Sequence, residues 1–139
     1  MTRHIPILRI LGVWALMAVA MSANGIFREL ALKRALAAES ADVVSAVLGV
    51  ILIAWITRIG FRPLAGDSTS QLVFVSILML VLTVGFEFGF GRWVDHKTWD
   101  ELFANYAIWR GRLWPVVLLV LVLTPFAWGR WWPKGGLPR

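Results

Sequence analysis

Along most of this chain apolar positions do not alternate with polar ones at a helical or strand period. They come in long runs, and four of these are candidates for membrane crossing, at Ile10 to Phe27, Val43 to Ile59, Leu72 to Phe90 and Leu113 to Trp128. A helix needs about 20 mostly apolar residues to span a bilayer. The sequence therefore predicts an all-α fold, a four-transmembrane-helix bundle forming one integral membrane domain over residues 1–139. Punctuation falls near the ends of the runs: Asn24-Gly25 at the first, Gly60 and Pro63 after the second, Gly89 and Gly91 at the third, Pro115 at the start of the fourth.

Two connecting segments read as helices in their own right. Thr98 and Glu101 have the spacing of a capping box. After them Trp99, Leu102, Phe103 and Tyr106 fall at i, i+3, i+4 and i+7, predicting a short amphipathic helix in the interface between spans three and four. Phe27 to Ala38 is also helical in pattern, with Glu29 and Lys33 at i,i+4 in the favourable order. Inside span four, Thr124-Pro125 predicts a freed backbone carbonyl and a kink.

Composition agrees with the membrane reading. The chain is 59% hydrophobic and 16% charged, against about 45 to 50% apolar residues in ordinary soluble domains. With no cysteine, disulfides, thiolate metal sites and thiol redox chemistry are excluded. The formal charge of +6 flanks apolar runs, which points to anionic lipid rather than nucleic acid. Trp128, Trp131 and Trp132 with Arg130 and Lys134 have the composition of an interfacial anchor.

Four spans place both termini and the loop from Arg58 to Ser70 on one side, and the loops after spans one and three on the other. Lys and Arg divide evenly, seven to each side, so the positive-inside rule alone does not orient the chain. Acids cluster on the loop side, however, which leaves the terminal side with the unneutralised base and favours cytoplasmic termini. Arg3, Arg9 and Ala18-Val19-Ala20 also fit a signal peptide, but the apolar run continues past that site and is long enough to cross.

Glu87 is the lone carboxylate within its apolar run, where a charge costs roughly 2.5 to 3.5 kcal/mol on insertion scales. It shares a helical face with Ser76 and Thr83. Side parity brings it toward Asn24, Arg28 and Glu29 at the end of span one and Arg92 after span three. The expectation is that Arg28 or Arg92 neutralises Glu87, with Asn24 as a hydrogen-bonding neighbour. These five residues form the candidate polar or ion site, and His96, Trp99, Tyr106, Arg110 and Arg112 the candidate lid or rim. Three small-residue pairs, Ala18/Ser22, Ser45/Gly49 and Gly85/Gly89, predict close helix packing.

Catalytic motifs are absent. No P-loop, two-histidine metal motif or Gly-x-Ser-x-Gly occurs, and His4 and His96 fall on opposite sides, so one chain cannot ligate haem with both. No catalytic residue, metal or cofactor is assigned. The expected partners are the lipid bilayer and either a second copy of the chain or another membrane protein.

The segments Asn24-Gly25-Ile26-Phe27-Arg28-Glu29, Leu82 to Gly91 and Tyr106 to Trp114 resemble a group of small four-span bacterial inner-membrane proteins. The resemblance implies a multi-pass protein of the bacterial inner membrane and brings no activity or ligand to carry over. The expected role is a non-enzymatic accessory or partner-binding protein. Alternatives are an oligomeric channel or transporter using Glu87 for protons, cations or a small polar solute, and a lipid-binding or lipid-modifying protein.

Overall fold

A computed structural model describes residues 6–61 and 68–131, without the side chains of Arg130 and Trp131. No strand occurs among the described residues. Helix α1 (Ile7–Phe27) passes into a π-helical turn (Arg28–Leu32) and then α2 (Lys33–Ala35), so that one helical run extends from Ile7 to Ala35. The expected break at Asn24-Gly25 does not occur. Asn24 turns its amide inward, donating from Nδ2 to the Ser45 carbonyl at 2.9 Å, and an interior glycine costs a helix only about 1 kcal/mol. The chain leaves the helix at Leu36, whose φ of −128° and ψ of 159° are extended.

Helices α3 (Ala38–Gly60) and α4 (Thr69–Trp93) follow, the latter capped by Ser68, whose Oγ accepts from the Gln71 amide at 3.4 Å. The helical run from Ile7, α3 and α4 are each long and apolar enough to cross a membrane. Helix α6 (Trp114–Phe126) is shorter and continues as a π-helical segment (Ala127–Trp131). Pro115 sits in its first turn, where the missing N–H is no loss. Pro125 removes the donor that would bond the Leu121 carbonyl. Thr124 Oγ1 donates to that oxygen at 2.8 Å instead, the kind of rescue that lets proline persist in apolar helices.

The four long elements form a ring. Helix α1 packs on α3, α3 on α6 and α6 on α4, while the closing seam between α4 and α1 is the sparsest. The core between them holds Ile10, Phe61, Leu72, Met79 and Leu121. Polarity is inverted relative to a soluble bundle: Leu8 is 81% and Trp55 68% exposed, whereas Thr57 is 0% and Ser76 3% exposed. The buried polar groups tie helices together. Ser76 Oγ donates to the Val122 carbonyl at 2.9 Å, and Trp128 Nε1 donates to Thr57 Oγ1 at 3.1 Å, with the Arg58 guanidinium over the Trp128 ring.

Small residues matter at some of the expected positions. A methyl group on Gly49 would press on Met21 and the Asn24 amide, so the Ser45/Gly49 pair does serve close packing of α1 on α3. Gly85 meets nothing within 4 Å and Gly89 faces only Trp93 of its own helix. That pair packs against no other described helix. Trp132 and Lys134 of the expected C-terminal anchor, and Arg3, His4, Arg62, Pro63, Asp67 and Arg139, lie outside the described residues.

Candidate functional site

The site begins with the connector between α4 and α6. Helix α5 (Trp99–Ala104) opens with the expected capping box: the Thr98 amide donates to Glu101 Oε2 at 2.8 Å and the Glu101 amide to Thr98 Oγ1 at 3.3 Å. The four apolar residues whose spacing predicts one face all turn toward α4. Leu102 is buried over Gly91, where the missing side chain makes room for it. Trp99, Phe103 and Tyr106 surround Phe88 of α4, with ring centroids 6.3, 5.3 and 5.8 Å away. The element expected to be a lid or rim is thus docked on α4 one residue beyond Glu87.

After Ala104 the chain turns and forms a short 3₁₀ segment (Ile108–Arg110) that ends at Gly111. Gly111 has φ of 78°, a left-handed conformation in which a Cβ would clash with backbone. From there the chain enters α6 with Trp114 turned toward α4. Glu87 Oε2 accepts two short hydrogen bonds, from the Tyr106 hydroxyl at 2.6 Å and from Trp114 Nε1 at 2.6 Å. Asn105 also lies against the carboxylate. One oxygen therefore ties α4, the connector and α6 together.

The arginines expected to neutralise Glu87 are engaged elsewhere. Arg28 Nε lies 3.3 Å from Glu29 Oε1 and 3.7 Å from Asp42 Oδ1, and Lys33 completes the expected i,i+4 pair with Glu29 at 2.8 Å. Arg92 stacks over the Trp99 ring at 5.9 Å. Among the described residues no cation stands within ion-pair distance of Glu87. Lys97 acts on it from farther away while bound to Asp95 at 3.6 Å.

Burial, and after it the bonded Glu87 carboxyl, push the Tyr106 hydroxyl well above its ordinary value of 10. Neutral Tyr106 is then favoured in the folded protein. The stability this contributes is complete below pH 10, where the unfolded chain also keeps the proton, and is lost progressively as pH climbs from 10 toward the raised value. Tyr106 is the sole tyrosine, so tyrosinate difference absorbance reports it directly. The folded protein should show no transition at pH 10 and the unfolded protein should show one; a midpoint at 10 in the folded state would contradict the assigned hydrogen bond.

Glu87 lines a half-open cavity of about 390 Å³ between α1, α3, α4 and α6, within the usual range of about 300 to 1,000 Å³ for small-molecule sites. Asn24 and Arg28 share this wall, so the structure brings together three of the five expected site residues; Glu29 and Arg92 are not part of it. Of the expected rim, Arg112 lines the cavity, while Arg110 is exposed outside it and His96 sits in the turn after α4 with a left-handed φ of 55°. Asp42, Lys97, Asn105 and Trp114 are wall residues that the sequence did not single out. Side parity could have suggested Trp114, since the start of span four must lie at the same end as Glu87.

The cavity changes character with depth. Charged and amide groups ring it near Glu87, and Met17, Met21, Ile53, Val117 and Leu121 line its interior. Beyond Leu121 the bundle is filled by Ile10, Phe61 and Leu72. At the α1/α4 seam its wall is formed partly by exposed residues, Ser22, Phe86 and Phe90. No family model, curated protein or solved structure matches the chain, so the chemistry of the site is read from its own residues.

Proposed function

We propose that this chain is a non-enzymatic, multi-pass protein of the bacterial inner membrane that binds a lipid-like amphiphile in the cavity beside Glu87, acting as a lipid-binding accessory protein. Membrane residence is supported by three spanning-length helices and by the apolar exterior. The shorter run from Trp114 to Trp131, near the lower length limit for a crossing, supports a fourth span. The charge distribution favours termini on the cytoplasmic side.

One observation carries the ligand reading: a single cavity joins a polar, charged ring to an apolar interior, the division that an amphiphile requires. A through-channel is less well supported, because packed Ile10, Phe61 and Leu72 fill the bundle at the far end. The π-helical turn at Arg28–Leu32 borders the same wall, and such turns recur at functional sites.

Native mass spectrometry of the full chain, released from lipid nanodiscs after thorough detergent exchange, tests the reading. One retained amphiphile per chain is expected. Ala18, which lines the cavity, should abolish that adduct when replaced by phenylalanine while leaving the helical circular dichroism intact. Unchanged retention in the Ala18→Phe variant would refute the cavity as the binding site.

A further inference from the structure

We propose that the cavity selects a zwitterionic phospholipid, with an ammonium directed to Glu87 and a phosphate to Arg112, and that the lipid reaches it sideways through the seam between α1 and α4. The proposal rests on the lipid-binding reading above and adds the class of headgroup and the route.

The headgroup follows from charge accounting on the cavity wall. Seven charged side chains line it: Arg28, Lys33, Lys97, Arg112, Asp42, Glu87 and Asp95. Five are already in ion pairs, Arg28 with Asp42 and Glu29, Lys33 with Glu29, and Lys97 with Asp95. Two are left. Glu87 is held by the neutral donors Tyr106 and Trp114, and Arg112 has no ion pair or hydrogen bond among the described residues. Both line the one cavity, and Arg112 is two residues before Trp114, whose indole bonds Glu87 at 2.6 Å. The chain between those two Cα atoms reaches no more than about 7 Å.

A ligand carrying phosphate alone would suit Arg112 but set like charge against Glu87. An ammonium alone would leave Arg112 without a counter-charge. A head bearing both matches both groups, and pairing each charge with its opposite separates this ligand from those that satisfy only one. Below the headgroup, Thr83 Oγ1 lines the cavity one helical turn from Glu87, buried and without a hydrogen-bond partner. Such an orphan costs about 1 to 3 kcal/mol. An ester oxygen or hydroxyl where a lipid head joins its tail would satisfy it.

The route follows from the ring of helices. Its sparsest seam is α1 against α4, bridged by aromatic rings: Trp14 meets Phe86 edge-on at 5.7 Å and Phe86 stacks with Phe90 at 5.5 Å. All three rings line the cavity, and Phe86 and Phe90 are 40% and 44% exposed. Behind them Met17 and Met21 offer unbranched side chains that adapt to an inserted acyl chain.

The test uses the full chain in detergent with an equimolar mixture of phosphatidylethanolamine, phosphatidylglycerol and diacylglycerol, bound lipid being identified by native mass spectrometry. Phosphatidylethanolamine should be retained at least about tenfold over phosphatidylglycerol. Glu87→Gln should erase that preference, and Arg112→Gln, at an exposed position, should weaken retention of both phospholipids relative to diacylglycerol while leaving phosphatidylethanolamine ahead of phosphatidylglycerol. Tail-less phosphoethanolamine should compete poorly. Equal retention of the two phospholipids by the unaltered protein would overturn the zwitterion inference and leave the cavity as a lipid site. Equal competition by phosphoethanolamine would show that no acyl chain occupies the interior behind the α1/α4 seam, removing the ground for a sideways route, and retention of no lipid at all would remove the proposed function itself.

Discussion

Replacing Glu87 by alanine is expected to destabilise the folded protein by about 2 to 4 kcal/mol, because it strands two donors and not one. The Tyr106 hydroxyl and the Trp114 indole both bond Glu87 Oε2 at 2.6 Å and both are at least partly buried. Each unsatisfied donor costs about 1 to 3 kcal/mol, and water reaching the vacated space recovers part of that. Glu87→Gln keeps an acceptor oxygen but loses its charge. Bonds to charged groups are worth about 1.5 to 3 kcal/mol and neutral ones about 0.5 to 1.5, so the glutamine variant should fall between wild type and alanine. The aromatic cluster around Phe88 still holds α5 in both variants. Reversible unfolding in mixed micelles measures the order; an alanine variant as stable as wild type would show that the tie contributes nothing.

Gly60→Ala should produce the second large effect, a loss of about 1 to 3 kcal/mol from overpacking. A Cβ at Gly60 would overlap Val13 Cγ2 and also crowd Cγ1 at 3.1 Å and Cβ at 3.3 Å. Valine cannot swing aside, since branching at Cβ leaves one strongly preferred rotamer in a helix. Helices α1 and α3 must therefore separate at the end of the bundle where Phe61 and Ile10 are buried. Gly91→Ala offers the contrast. Its Cβ would overlap only the tip of Leu102, with the next atoms at 3.7 and 4.0 Å, and the tip of a leucine can rotate. The Gly60 variant should unfold at a clearly lower denaturant concentration than the Gly91 variant; the reverse order would mean that the α1/α3 contact is looser than described.

Much of this architecture was legible in the chain. Apolar run length marked the long helices, the Thr98/Glu101 spacing marked the start of α5, and the Glu29/Lys33 pair formed as its spacing required. Parity alone brought Asn24, Arg28 and Glu87 to one end, and all three line one cavity. The partners of Glu87 were not legible. A carboxylate in an apolar run directs attention to arginine, yet Arg28 finds Asp42 across the Leu36 turn and Arg92 finds the Trp99 ring. Tyr106 and Trp114 carry an apolar body and a polar tip. Which end faces Glu87 depends on the turn after Ala104 and on the left-handed Gly111, both three-dimensional facts. Asn24-Gly25 misled for a related reason: its break signal is local, whereas the Ser45 carbonyl that takes up the Asn24 amide is supplied by another helix.

The claim that the cavity is a lipid site is tested most directly by photo-crosslinking inside it. A diazirine analogue of methionine placed at position 21 reports on the cavity wall, and the same group at Leu16, 59% exposed on the same helix, reports on the outer surface. After purified protein is exchanged into lipid-free detergent and irradiated, a lipid adduct is expected at Met21 and none at Leu16. Detergent alone at Met21, or equal lipid labelling at both positions, would contradict it.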